Sequence, residues 1–263
     1  MGLAALLRER GRALIALDYD GTLAPIVTDP AAARPHPDAV RELRRLAPLV
    51  GTLAVVTGRP ALAAVEIGRL DQVPGVIVLG HYGRQRWEAG TLTSPPSPPG
   101  VAAARRELPG VLAGAGAPEG TWTEDKDDAL AVHTRLAAEP GPALDRLRGP
   151  LAELAARTGL DVEPGRMVLE LRPPGSDKGQ ALKSLARDRH ARAVMYCGDD
   201  LGDAPAFRAV ADLRGEGIPG LAVCSSSEEV TALAELADLV VDGPGGVAAL
   251  LGALASAMSA APA

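Results

Sequence analysis

Short, unbroken apolar runs recur along this chain, with helical stretches between them, and several stop abruptly at a carboxylate or a glycine. RALIAL (12–17) runs into DYDGT, TLAVVT (52–57) stops at Gly58, and VPGVIVLG (73–80) follows a helical stretch after Pro60. A run apolar at every position, rather than at alternate ones, reads as a strand buried on both faces. Helical segments between such strands give a βαβαβ pattern, hence a parallel sheet with helices on both sides. In such doubly wound α/β folds, ligands collect beyond the carboxyl ends of the strands. The alternation resumes after residue 176, with a helix over 178–189, the strand AVMYCG, a helix over 203–212, the strand GLAVC, a helix over 227–236, the strand LVV and a last helix from Val247.

Between these halves the pattern changes. TLTSPPSPPG (91–100) has the Pro and Ser density of a linker or hinge. Beyond it the chain reads as helix (101–115), strands (120–126, 129–135), helix (141–158) and strands (161–164, 166–172). That αββαββ unit, with hairpin spacing, predicts a small α+β domain at 99–174 inserted into a core made of 1–98 and 175–263. The hinge at Ser94 to Gly100 and the return at Pro173 to Ser176 would let this unit swing over the core.

Charge and composition narrow the partners. The net charge of −6 repels a phosphodiester backbone, and 2% aromatic residues supply little for base stacking. Nucleic acid is therefore not expected as a partner. Two cysteines, Cys197 and Cys224, cannot build a zinc site alone and suit reduced, buried thiols, so the expected setting is cytoplasmic. No export or anchoring signal is read at the start, and the Ala-rich stretch from Gly246 is expected to be a closing amphipathic helix rather than a membrane span. Gly215, Gly217 and Gly220 match GxGxxG but follow a helix and precede a strand, the reverse of a dinucleotide site.

Three groups fall at the ends of predicted parallel strands: Asp18 with Asp20, Thr57 with Gly58, and Asp199 with Asp200 and Asp203. One acidic strand end alone reads equally well as a turn or helix cap. Together, on neighbouring strands, the carboxylates would repel one another unless a cation neutralised them, and oxygen-only ligands select a hard ion such as Mg²⁺. Such a site suits phosphoryl transfer, with an Asp attacking phosphorus. The chain has only three lysines (Lys126, Lys178 and Lys183) against 24 arginines, so a retained Lys points to a need for a compact ammonium. Lys178, in the first turn of a helix, would hold the nucleophile and a phosphate oxygen, with the Thr57 hydroxyl and the Gly58 N–H donating to others.

DYDGTLAPIV (18–27), VVTGR (55–59), the lysine of DKGQAL (177–182) and GDDLGDAPAF (198–207) resemble, in order and spacing, the four motifs of the haloacid dehalogenase superfamily of phosphatases. DYDGTLAPI, TEDKDDALAVHTR (123–135) and VLELRPPGSDKG (168–179) are similar to the trehalose-6-phosphate phosphatase family, whose inserted unit is a C2-type cap. The resemblance implies a Mg²⁺-dependent hydrolysis of trehalose 6-phosphate through an aspartyl-phosphate. Asp18 would be the nucleophile and Asp20 the general acid and base. Asp199, the Asp18 carboxylate and the Asp20 backbone carbonyl would hold the metal, with Asp200 and Asp203 close by. Glu124, Lys126, Arg135 and Glu170 of the cap would contact sugar hydroxyls, and Arg59 would lie on the core side of the substrate. Gly202, Ala204 and Thr134 depart from the family pattern. Two alternatives stay open: another sugar phosphate of the sucrose 6-phosphate or mannosyl-3-phosphoglycerate type, and a weakly catalytic regulatory partner of a trehalose-6-phosphate synthase. His133 reads as a structural strand residue; His81, Tyr82 and Trp87 either brace the substrate or pack in the core.

Overall fold

The computed structural model describes all residues except 1, 28, 97, 166, 176, 227–230 and 261–263. Two compact units divide it, Met1–Ser94 with Asp177–Ala263, and Pro95–Ser176. Along the chain the first unit opens with α1 (Gly2–Arg8), β1 (Ala13–Leu17), α2 (Pro37–Leu46), β2 (Thr52–Val56), α3 (Ala61–Gly68), β3 (Ile77–Gly80), β4 (Gln85–Glu88) and β5 (Thr91–Thr93). The second unit contributes α4 (Pro99–Gly114), β6 (Trp122–Asp125), β7 (Leu130–His133), α5 (Pro140–Thr158), β8 (Asp161–Gly165) and β9 (Val168–Arg172). The first then resumes with α6 (Lys178–Asp188), β10 (Ala193–Gly198), α7 (Ala204–Gly215), β11 (Gly220–Ser226), α8 (Thr231–Ala234), β12 (Leu239–Asp242) and α9 (Gly243–Ala260).

The larger unit is built on an eight-stranded sheet, ordered β12-β11-β10-β1-β2-β3-β4-β5, parallel from β12 through β3. Alternate residues of β1 serve its two faces. Ala13, Ile15 and Leu17 pack with α1, α2, α3 and α9, whereas Leu14 and Ala16 pack with α6 and α7. Both faces are dry, which is why the strand is apolar at every position. The sheet is therefore the expected doubly wound core.

Two expectations change. Residues 91–93 are not linker but β5, which pairs antiparallel with β4, itself antiparallel to β3. This edge hairpin is polar and partly or fully exposed apart from Gln85, so it lacks the apolar run that marked the inner strands. The last helix starts at Gly243, ahead of Val247, and buries Val247, Ala248, Leu251, Leu254, Ala255 and Met258. Among the described residues α9 is the one helix long and apolar enough to cross a membrane; here its buried stripe packs along α2 and β11. The start of the helix expected at 227–236 lies outside the described residues; Thr231–Ala234 are helical. The GxGxxG stretch is a turn, α7 ending at Gly215, Gly217 at φ +86° and β11 starting at Gly220.

The smaller unit is a four-stranded antiparallel sheet, ordered β6-β7-β9-β8. Leu130, Val132, Leu169 and Leu171 point to one face and pack with Leu108, Leu147, Leu151 and Leu154 of α4 and α5. The opposite face carries Trp122, Glu124, His133, Glu163, Glu170 and Arg172, as the cross-strand register requires.

Candidate active site

β1 and β10 are in register with Leu17 opposite Cys197, and the ladder runs one bond further, the Asp18 N–H donating to the Cys197 carbonyl at 2.8 Å. That register sets Asp18 beside Asp199 just past the strand ends. The chain after Asp18 turns at once, with the N–H groups of Leu23 and Ala24 both donating to the Tyr19 carbonyl. Gly21 makes the turn possible: its φ is +74°, and a Cβ there would stand 2.0 Å from Asp199 Oδ2. Ser225 Oγ, from β11, donates to the Gly21 carbonyl at 2.7 Å and ties the loop to the sheet.

Lys178 enters from the first turn of α6, whose N-cap Asp177 accepts the Gln180 N–H. Its Nζ lies 2.8 Å from Asp18 Oδ1 and 2.8 Å from Asp203 Oδ1. Asp203 is wholly buried and accepts on both oxygens. Oδ1 also takes the Tyr196 hydroxyl at 2.6 Å, and Oδ2 takes the backbone N–H groups of Asp199 (3.0 Å) and Asp200 (3.4 Å). Gly198 leaves the space for this, since a Cβ there would meet Asp203 Cγ at 2.3 Å. Tyr196, invisible to motif reasoning, had one usable signal: a single hydroxyl in the otherwise apolar AVMYCG, two residues before the strand end.

Carboxylate oxygens of Asp18, Asp199 and Asp203 all lie within 4.8 Å of one another. Ionised, three carboxylates against one ammonium leave two negative charges in a buried place. Burial pushes the Asp18 carboxyl well above its usual range, with Asp203 and Asp199 adding to the shift and Lys178 opposing it. Burial, then the charges of Asp203 and Asp200, push Asp199 up to about 8. Burial would strip Lys178 of its proton, but Asp18 and Asp203 outweigh that and hold it charged. Among the described residues the buried Asp199 Oδ1 has no hydrogen-bond partner. An unpaired oxygen, an all-oxygen donor set and two surplus negative charges suit a hard divalent cation such as Mg²⁺.

Asp20 and Asp200 are not in this cluster. Asp20 pairs with Arg59, and the exposed Asp200 closes a capping box with Asp203 at the turn before α7. Thr57 is buried past the end of β2, its N–H on the Leu79 carbonyl and its Oγ1 accepting the Arg59 N–H at 3.2 Å. The hydroxyl keeps its own proton to donate. At Gly58 a Cβ would stand 2.7 Å from the Tyr82 hydroxyl oxygen. His81 and Tyr82 both sit in left-handed backbone, with their N–H groups on the Arg59 and Thr57 carbonyls, so this segment is built around the β2 end.

In the smaller unit, Lys126 Nζ donates to Glu170 Oε2 at 2.6 Å, and Glu124 Oε2 lies 3.0 Å from His133 Nε2. The His133 ring stacks on Trp122 with centroids 3.9 Å apart. Glu170 is buried, and among the described residues its Oε1 has no hydrogen-bond partner. Glu124, Lys126 and Glu170 thus share one face of the sheet and its β6–β7 turn, while Arg135 is exposed in the turn after β7.

A family description, trehalose-phosphatase, matches residues 16–241. The chain belongs to the trehalose-phosphatase family. It is 32% identical to a trehalose-phosphate phosphatase of Mycobacterium marinum over 98% of this chain, and spans 66% of that relative's length. It is 31% identical to a probable trehalose-phosphate phosphatase of Sinorhizobium fredii, covering 81% of this chain and 79% of the relative. In fold it is similar to the C-terminal domain of C. albicans trehalose-6-phosphate phosphatase, with a TM-score of 0.80 at 22% identity, covering 97% and 95% of the two chains. A haloacid dehalogenase-like hydrolase from Bacteroides thetaiotaomicron matches with a TM-score of 0.65 at 17% identity, covering 92% of this chain and 99% of that one. The chain thus has a haloacid dehalogenase-like fold, with Asp18, Thr57, Lys178 and Asp199 all inside the matched span.

Proposed function

We propose that this protein is a Mg²⁺-dependent phosphatase that hydrolyses trehalose 6-phosphate to trehalose and inorganic phosphate. The observation that carries the reading is the buried Asp18–Lys178–Asp203 bridge, with Asp199 Oδ1, which has no hydrogen-bond partner among the described residues, beside it. Asp18, Asp199 and the Asp20 carbonyl would hold Mg²⁺, which, when bound, supplies positive charge that offsets the phosphate and the carboxylates. Lys178 fixes the Asp18 carboxylate by its ammonium, which leaves the other oxygen to attack phosphorus. The bond from phosphorus to the sugar oxygen breaks as that oxygen takes a proton from Asp20, giving the free sugar and an aspartyl-phosphate on Asp18. Asp20, now a carboxylate, takes a proton from water, whose oxygen attacks phosphorus and releases inorganic phosphate and the Asp18 carboxylate. The Thr57 hydroxyl and the Gly58 N–H donate to phosphate oxygens through both steps.

Sugar recognition falls to Glu124, Lys126 and Glu170, whose charged groups offer directional hydrogen bonds to vicinal hydroxyls that an apolar surface cannot. The substrate is the product of a trehalose-6-phosphate synthase, so functional coupling to one belongs to this reading. The two cysteines are buried and unlinked, in keeping with a reducing, cytoplasmic setting. The test is phosphate release from trehalose 6-phosphate, sucrose 6-phosphate and mannosyl-3-phosphoglycerate, with Mg²⁺ and with chelator. Preference for trehalose 6-phosphate, lost in chelator, is expected; preference for another ester overturns the substrate, and undiminished release in chelator overturns the metal.

A further inference from the structure

Arg59 is the last residue of VVTGR, and its side chain is committed to the catalytic loop. Its Nε donates to Asp20 Oδ2 at 2.7 Å and its Nη2 to Asp20 Oδ1 at 2.6 Å, a bidentate pair across 39 residues. Its Nη1 donates to the Pro30 carbonyl at 2.8 Å, and its guanidinium carbon lies 5.2 Å from the centroid of the Tyr19 ring. Tyr19 is itself fixed, wholly buried with its hydroxyl donating to the Ala33 carbonyl at 2.9 Å. The Arg59 backbone is equally tied, its N–H on Thr57 Oγ1 and its carbonyl accepting from the His81 N–H. The Arg59 side chain is 14% exposed and that of Asp20 40% exposed, so the clamp is sheltered and the carboxylate it holds is open to a ligand.

We propose that Arg59 is a positioning residue for Asp20, not a ligand of the substrate; this rests on the phosphatase reading above. A free Asp side chain samples several rotamers, and proton transfer needs one of them aimed at the leaving oxygen. A planar fork with both prongs on one carboxylate selects the rotamer and the ring of directions about it. Each oxygen of Asp20 accepts one bond from the fork and retains a second lone pair for the proton it carries. Pro30, Tyr19, Thr57 and His81 hold the fork in turn, so the orientation of the acid is set by the chain from Tyr19 to Ala33 and the end of β2 together.

The expected signature is dependence on the leaving group. A sugar oxygen must be protonated as it departs, whereas p-nitrophenolate leaves as a stable anion, so kcat/KM for p-nitrophenyl phosphate is far less sensitive to the acid. For Arg59→Gln we expect kcat/KM on trehalose 6-phosphate, or on whichever sugar phosphate the wild type hydrolyses, to fall about ten- to a hundredfold, through kcat and not KM. The fall on p-nitrophenyl phosphate should be at least tenfold smaller. Asp20→Asn should show the same discrimination, and the double variant should be no worse than Asp20→Asn alone, because removing the carboxylate leaves Arg59 nothing to position. Arg59→Lys, which keeps the charge but not the fork, should restore only part of the loss, and it serves if Arg59→Gln does not fold. Equal losses on the two esters, a loss seen in KM, or losses that multiply in the double variant would overturn the proposal and return Arg59 to substrate binding. A wild-type protein that releases phosphate from no ester overturns the phosphatase reading itself, and this inference with it.

Discussion

Replacing Asp203 by Asn tests whether one buried carboxylate organises the site. The side chain is fully buried and accepts four hydrogen bonds: from Lys178 Nζ and the Tyr196 hydroxyl on Oδ1, and from the Asp199 and Asp200 N–H groups on Oδ2. An amide has one acceptor oxygen, so whichever way it turns, its NH₂ faces two donors. Lys178 also loses one of its two counter-charges and stays buried with Asp18 alone. Breaking one side of a buried ion pair costs about 3–5 kcal/mol, and the remaining Asp18 contact argues for the low end, about 3 kcal/mol. For a unit of this size that corresponds to a fall of about 6–12 °C in Tm. Because Asp203 holds the Asp199 backbone and Lys178, kcat/KM should also fall about ten- to a hundredfold through loss of orientation. Thermal melting followed by circular dichroism reads the first effect and phosphate release the second. Asp200→Asn is the control: its exposed carboxylate adds negative charge near Asp199 but its hydrogen bonds are those of the capping box, so it should cost no more than about 1 kcal/mol. A Tm change under about 2 °C for Asp203→Asn, or an equal effect from Asp200→Asn, would refute the account of Asp203 as the hub.

Asp18→Asn should abolish turnover and Asp20→Asn should slow it by about 10² to 10⁴, measured as kcat on the sugar phosphate; near-normal turnover in Asp18→Asn would exclude a covalent step at that residue. In chelator, stability should fall as pH rises from about 5.5 to 8.5. Burial raises Asp199 to about 8, above its unfolded range, so the native state holds a proton that the unfolded state has already released; the stability tied to that proton is present at low pH and lost as pH passes through 8. Mg²⁺, which needs the ionised carboxylate, should raise Tm more at pH 8.5 than at pH 6; a shift independent of pH would contradict the carboxylates as its ligands. Glu170→Ala removes one partner of Lys126 Nζ and should lower kcat/KM for trehalose 6-phosphate about ten- to a hundredfold, with a smaller loss on p-nitrophenyl phosphate. Equal losses on both esters would assign Glu170 to folding instead.

The doubly wound sheet was legible from the chain because burial on both faces leaves a local mark: ALIAL is apolar throughout and AVMYCG is so apart from the Tyr196 hydroxyl, and each ends where its backbone reaches the carboxyl edge of the sheet. Strand ends with Asp18, Thr57 and Asp199 could be read the same way, since position along a strand is local information. The edge hairpin β4–β5 was not, because a polar, exposed strand draws its pairing from β3 and not from its own composition. Within the site the same division holds. DYDGT and GDDLGDAPAF announce carboxylates, but nothing local distinguishes Asp203, which spends both oxygens on Lys178, Tyr196 and two backbone N–H groups, from Asp199, which keeps one oxygen without a partner among the described residues. Nor does anything near Arg59 in the chain name Asp20 as its partner. Residue type and strand ends are written in neighbouring positions. The partner of a buried charge depends on strand register and on loops tens of residues apart, and only the folded backbone brings these within hydrogen-bond reach.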